Sequence, residues 1–163
     1  MQDSAQACNY LALSAAGRLD LAVAEVSPDA QWSGEGINGN NLTTARLAAS
    51  MSSFQPVSFT GKVSGSVTAY LGGCTIWYSI NFPDGPRCFG GLFEIVAPHG
   101  MSLPLARRGD SGVWIVDQIL STRSWNGMLI SAVPDGDRAY CCFAQDILEV
   151  CQGWFPEGVS FIP

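Results

Sequence analysis

The residues best suited to chemistry lie in one stretch, Leu103-Pro104-Leu105-Ala106-Arg107-Arg108-Gly109-Asp110-Ser111-Gly112, followed by the apolar run Val113-Trp114-Ile115-Val116. A serine hydroxyl is a weak nucleophile unless a base takes its proton and nearby N–H groups hold the oxyanion that its attack creates. Gly109 and Gly112 give the backbone around Ser111 the freedom to make the tight turn that such a site needs. With Gly109 two residues before Ser111, both amides can be aimed into one hole. The strand that follows would fix the turn on a sheet. Gly, Asp and Ser are also the commonest turn formers, so the tetrapeptide alone reads as a plain turn before it reads as a catalytic loop.

Other reactive side chains are few. Asp20 opens the apolar segment Leu19 to Val26, which reads as a strand, and its plain role is to cap the preceding turn Ser14 to Arg18. The one histidine, His99, sits in Ala97-Pro98-His99-Gly100, and a lone loop histidine reads as surface. The six cysteines show no CxxC spacing, so no metal is expected. Cys141 and Cys142 are adjacent and, on a strand, point to opposite faces. Reduced, mostly buried thiols are expected, with Cys74 and Cys88 flanking a hairpin and placed to pair if the protein is secreted.

Composition bounds the elements that must position these groups. At 163 residues, with 47% hydrophobic and 13% charged, the chain can bury a core as one domain or two small ones, and it is not a disordered sequence. The formal charge of −6, with Lys62 the only lysine, leaves no basic face for nucleic acid or an anionic membrane. No apolar run approaches membrane-spanning length. The opening Met-Gln-Asp-Ser-Ala-Gln lacks the basic start and apolar core of a signal peptide, which favours an intracellular location and makes the sequon Asn41-Leu42-Thr43 a coincidence.

Along the chain, short alternating runs bounded by Gly and Pro predict many strands. Asn9 to Leu13 and Leu19 to Val26 read as strands, and Pro28 to Thr44 as a loop or linker. From Val57 strands are dense: Val57 to Thr60, Val63 to Tyr70, Thr75 to Phe82, and, after the turn Pro83-Asp84-Gly85-Pro86, Phe89 to Val96. Val113 to Val116, Trp125 to Val133 and Arg138 to Phe143 follow, and Ile147, Leu148 and Cys151 lie at helical spacing.

Gly109-Asp110-Ser111-Gly112 resembles the nucleophile loop of trypsin- and chymotrypsin-like serine proteases, and Asp20-Leu21-Ala22-Val23 is similar to the segment that carries their triad aspartate. Ser111 follows Asp20 by roughly 90 residues, as nucleophile follows acid in that family. The resemblance is best from about Val57 to Cys151. It implies an all-β, chymotrypsin-like double β-barrel: an incomplete N-terminal barrel in 1–32, an inter-barrel linker in 33–56, and a complete six-stranded C-terminal barrel with a short C-terminal helix in 57–163.

The same resemblance makes Ser111 the nucleophile, Asp20 the acid that orients a histidine, and the amides of Gly109 and Ser111 the oxyanion hole. Leu105, Ala106, Leu129, Ile130, Ser131 and Ala132, with Met128, become the pocket residues. Leu105 stands where trypsin-like enzymes place an acid, so Lys or Arg is not the expected substrate side chain. The family histidine comes roughly 45 residues before the aspartate. Counting back from Asp20 passes Met1, and no family position matches His99. The expected partners are therefore a peptide substrate and a His-bearing segment or chain supplying the base, with no cofactor. A pseudoprotease that keeps the pocket as a protein-binding module is the alternative, and an unrelated all-β interaction domain is the third reading. Arg108-Gly109-Asp110 spells an integrin-type tripeptide, but the loop already accounts for it. Asp110 matches a residue that can pair with a freed amino terminus, which Met1-Gln2-Asp3 does not resemble.

Overall fold

A computed structural model of the protein describes residues 42–82, 85–117 and 123–158. The period-two pattern of the sequence becomes burial directly. Val57 and Phe59 are buried between half-buried Ser58 and Thr60, and Val67, Ala69 and Leu71 between exposed Thr68 and Tyr70. Among the described residues seven strands result: β1 (Leu42–Ala45), β2 (Pro56–Gly61), β3 (Gly65–Phe82), β4 (Gly85–Val96), β5 (Trp114–Asp117), β6 (Arg123–Ala132) and β7 (Arg138–Phe143). The helix α1 (Ala144–Trp154) follows β7, and a 3-10 turn occupies Ala48–Ser50.

Six strands pair in a cycle, β6–β5–β2–β3–β4–β7 and back to β6, each pair antiparallel, while β1 adds to β6 in parallel. All six contribute to one core, from Val57 and Phe59 through Leu71, Phe93, Ile115 and Leu129 to Cys141 and Phe143. Phe93, fully buried and 5.1 Å from the Phe143 ring, contributes about 1.5–3 kcal/mol by leaving water. A second cluster, with Leu92, Trp125, Tyr140, Cys142 and Ile147, joins the other strand face to α1. Cys141 and Cys142 thus face different cores, as strand alternation demands. Burial pushes the Cys141 thiol well up, with Cys142 adding to it, so Cys141 packs as an un-ionised apolar group.

A buried polar node ties β1, β2, β5 and β6 together. Asp117, 4% exposed, pairs through Oδ2 with Arg46, which follows β1. Its Oδ1 accepts from Gln55 Nε2 at 2.5 Å and from Asn126 Nδ2 at 2.8 Å. Those donors give the buried carboxylate the hydrogen bonds it loses on leaving water.

The structure departs from the sequence reading at β1, at β3 and at Cys88. The end of Pro28 to Thr44 is not loop, because Leu42–Ala45 pairs with β6 through Leu42↔Arg123 and Ala45↔Trp125, a partner far along the chain that local composition cannot announce. The runs Val63 to Tyr70 and Thr75 to Phe82 merge into one strand, β3, which begins only at Gly65 and whose register against β4 shifts between Leu71 and Tyr78, so bulges do what an interruption was expected to do. Cys88 is disulfide-bonded, whereas Cys141, Cys142 and Cys151 are thiols, so the expectation of reduced thiols fails at Cys88. The two N-terminal strand expectations, with Asp20, lie outside the described residues, as do Pro83 and Asp84 of the predicted turn. Among the described residues no helix is long and apolar enough to cross a membrane.

Candidate functional site

The Leu103 to Gly112 segment is held from below by its apolar residues. Leu105 and Ala106 are buried in the main core, and Leu105 N–H donates to the Gly136 carbonyl at 3.0 Å. Two turn bonds then fold the loop, Asp110 N to Arg107 O at 3.0 Å and Val113 N to Asp110 O at 3.2 Å. Gly112 N donates to Leu129 O at 2.8 Å and Leu129 N to Val113 O at 3.0 Å, which docks the end of the turn on β6. Gly109 has φ +105° and Gly112 φ +89°, left-handed backbone that a side chain disfavours.

Asp110 is fully buried and carries the loop. Its Oδ1 accepts from Val63 N at 2.8 Å and Ser64 N at 3.2 Å, and its Oδ2 from Ser64 Oγ at 2.6 Å and Arg107 N at 2.8 Å. Burial pushes this carboxyl up, but the bonds from the Ser64 hydroxyl and from the amides of Arg107, Val63 and Ser64 outweigh it and hold the pKa below the ordinary aspartate value. The donors belong mostly to the hairpin between β2 and β3. The fit is close, since a Cβ on Gly61 would stand 2.4 Å from Asp110 Oδ1 and one on Gly109 3.0 Å from Val63 Cγ2.

Ser111 is exposed, and its hydroxyl donates to the Ile130 carbonyl at 3.3 Å. Among the described residues neither Gly109 N–H nor Ser111 N–H donates a hydrogen bond. Two free backbone donors beside a hydroxyl are what an oxyanion site requires chemically.

A cavity of 600 Å³ opens at Ser111. It is lined by Ala106, Leu129, Ile130, Ser131 and Ala132, all expected there, and also by Pro104, Arg107, Arg108, Val133, Pro134 and Asp135. Leu105 does not line it; this side chain is wholly inside the main core, behind the wall that its neighbours form. Met128 packs against the second core instead, and Gly109 flanks the cavity without lining it. The sequence reading missed the two arginines and Asp135, although Arg107 and Arg108 stand directly before the glycine of the turn. On one side β6 pairs with β7 as far as Ala132↔Ala139, but with β5 only as far as Trp114↔Met128. Beyond that point the Ser111 hydroxyl meets the Ile130 carbonyl, and among the described residues no strand pairs with the 130–132 edge on the cavity side.

His99 is exposed, lines no part of the cavity and makes no hydrogen bond among the described residues. Asp20 lies outside the described residues. Among those described, no group of three or more His, Cys, Asp or Glu is placed to hold a metal ion.

No family model and no curated protein matches this chain. Solved structures do. A glutamic acid specific serine protease that uses a histidine triad in substrate binding aligns with a TM-score of 0.48 and 15% identity, over 69% of this chain and 52% of that one. The chymotrypsin of Cellulomonas bogoriensis aligns with a TM-score of 0.50 and 16% identity, over 69% of this chain and 53% of that one. The chain therefore spans about half the length of the structures it matches. Its cycle of antiparallel strands, ending in one described helix, is the chymotrypsin-like β fold.

Proposed function

We propose that this chain is the nucleophile-bearing part of a serine-type endopeptidase, acting through Ser111 with its base supplied by a histidine from another segment or chain. The observation that carries this reading is the placement of an exposed hydroxyl at a cavity, on a turn whose Gly109 and Ser111 N–H groups have no acceptor among the described residues. The base takes the Ser111 Oγ proton as the oxygen attacks a peptide carbonyl. The two N–H groups hold the resulting oxyanion, and the carbonyl re-forms as the amine leaves with the proton returned by the base. Water then repeats the sequence on the acyl-enzyme. Asp20 takes the part of the acid that orients the histidine. The open 130–132 edge supports an extended substrate, whose backbone would pair there as an added strand.

One contact favours the alternative of a catalytically inactive protein-binding module. Ser111 Oγ donates to the Ile130 carbonyl, an acceptor that orients the hydroxyl but cannot take its proton. Fluorophosphonate labelling separates the two. For a split hydrolase, Ser111 reacts slowly in the chain alone and faster with added imidazole as an external base, and Ser111→Ala abolishes the adduct found by peptide mapping. Absence of labelling under both conditions identifies the binding module and ends the hydrolase reading.

A further inference from the structure

Two of the chain's eight basic residues, Arg107 and Arg108, are adjacent on the wall of the Ser111 cavity, in a protein whose formal charge is −6. Both are exposed, and among the described residues neither side chain forms an ion pair or hydrogen bond. Arg46 and Arg138 are different: Arg46 is bound to Asp117, and Arg138 lies 3.4 Å from Glu94 and 3.6 Å from Asp137. The positive charge at the cavity is thus uncommitted. Asp135 is the one carboxylate among the described lining residues, so two arginines share the wall with a single acid. Of the remaining lining residues only Ser111 and Ser131 have polar side chains, and their neutral hydroxyls supply no charge to set against an ammonium.

From this charge balance we infer that the cavity selects an acidic side chain, the carboxylate of a Glu or Asp in an extended peptide, held by Arg107 and Arg108. The inference deepens the reading above and rests on it for the peptide nature of the occupant. A guanidinium presents paired N–H donors that match a carboxylate, and it does so best where concave walls thin out the water. The arms are also well placed. The backbone N–H of Arg107 is bonded to buried Asp110, which fixes the start of its side chain before any peptide arrives. A lysine in the same place meets two like charges and one opposite one.

Binding tests this without requiring turnover. Fluorescein-labelled hexapeptides identical but for a central Glu, Gln or Lys are titrated by fluorescence polarisation against the intact chain. Glu is expected to bind about tenfold more tightly than Gln, with Lys weakest, the size of one good charge-assisted contact. The preference disappears in the Arg107→Gln, Arg108→Gln double variant, which keeps the backbone bond to Asp110, and grows in Asp135→Asn, since asparagine tolerates the φ of +53° found there. Equal affinities, a preference for Lys, or no binding by any of the three overturns the inference. Fluorophosphonate labelling of the same preparation keeps the outcomes apart. Labelled Ser111 with no Glu preference removes the acidic selectivity alone, and a Glu preference without labelling removes the nucleophile alone.

Discussion

Asp110→Ala is expected to lower the unfolding free energy by about 2–4 kcal/mol, because it strands the amides of Val63, Ser64 and Arg107 and the Ser64 hydroxyl without their acceptor. It is also expected to abolish labelling of Ser111, since the carboxylate is what ties the Ser111 turn to the β2–β3 hairpin. Gly61→Ala provides the control that keeps the charge. Its methyl group enters the space of Asp110 Oδ1 and Cγ, at 2.4 and 2.6 Å, so the carboxylate must move while remaining present. Loss of labelling in both variants, with strand content intact by circular dichroism, locates the effect in the turn.

Asp110 also gives this effect a pH signature. Its folded pKa is depressed, so its stabilising contribution is complete above the unfolded value of about 3.9 and is lost as pH falls through the lower folded value. The stability difference between the wild type and Asp110→Asn is therefore flat from neutral pH down to about 4 and shrinks below it. Urea titrations at stepped pH measure it. A difference that shrinks already between pH 7 and 5 contradicts the assignment.

Gly127→Ala is expected to be the most damaging single methyl in the described fold. Its Cβ would stand 2.0 Å from the Cys142 carbonyl oxygen and 2.6 Å from Phe93 Cε1, where β6 meets β7 over the main core. A backbone oxygen in a strand cannot rotate away as a side chain can, so the cost reaches or exceeds about 3 kcal/mol, the upper end for overpacking. Gly153→Ala is the matched contrast. It lies in α1 with nothing within 4 Å of the added methyl, and alanine there is expected to stabilise by about 0.5–1 kcal/mol. Thermal unfolding of the two variants should move in opposite directions.

Features set by neighbouring residues were legible in the sequence. The alternation of Val57 and Phe59, or of Val67, Ala69 and Leu71, marks strands because each residue's burial is decided by its own position in a period of two. The Ser111 turn was legible because glycine at positive φ is a local requirement. What escaped depends on partners far along the chain. Nothing near Leu42 announces a parallel partner at Arg123, and nothing near Ser64 announces that its hydroxyl meets Asp110 across 46 residues. Leu105 was assigned to the pocket because its place in the resembling loop suggested it, but an apolar side chain with the core directly behind it turns inward. Arg107 and Arg108 were visible beside the turn, yet only the fold shows that they share a cavity wall with Asp135.

The central claim is that the Gly109 and Ser111 amides converge on one anion-binding hole next to the serine hydroxyl, and a crystal structure of the chain with a peptidyl boronic acid tests it most directly. The predicted result is boron bonded to Ser111 Oγ, with one boronate oxygen about 2.7–3.1 Å from both amide nitrogens. A boronate bound elsewhere, or bonded to Ser111 with its oxygens out of reach of the Gly109 amide, would contradict it.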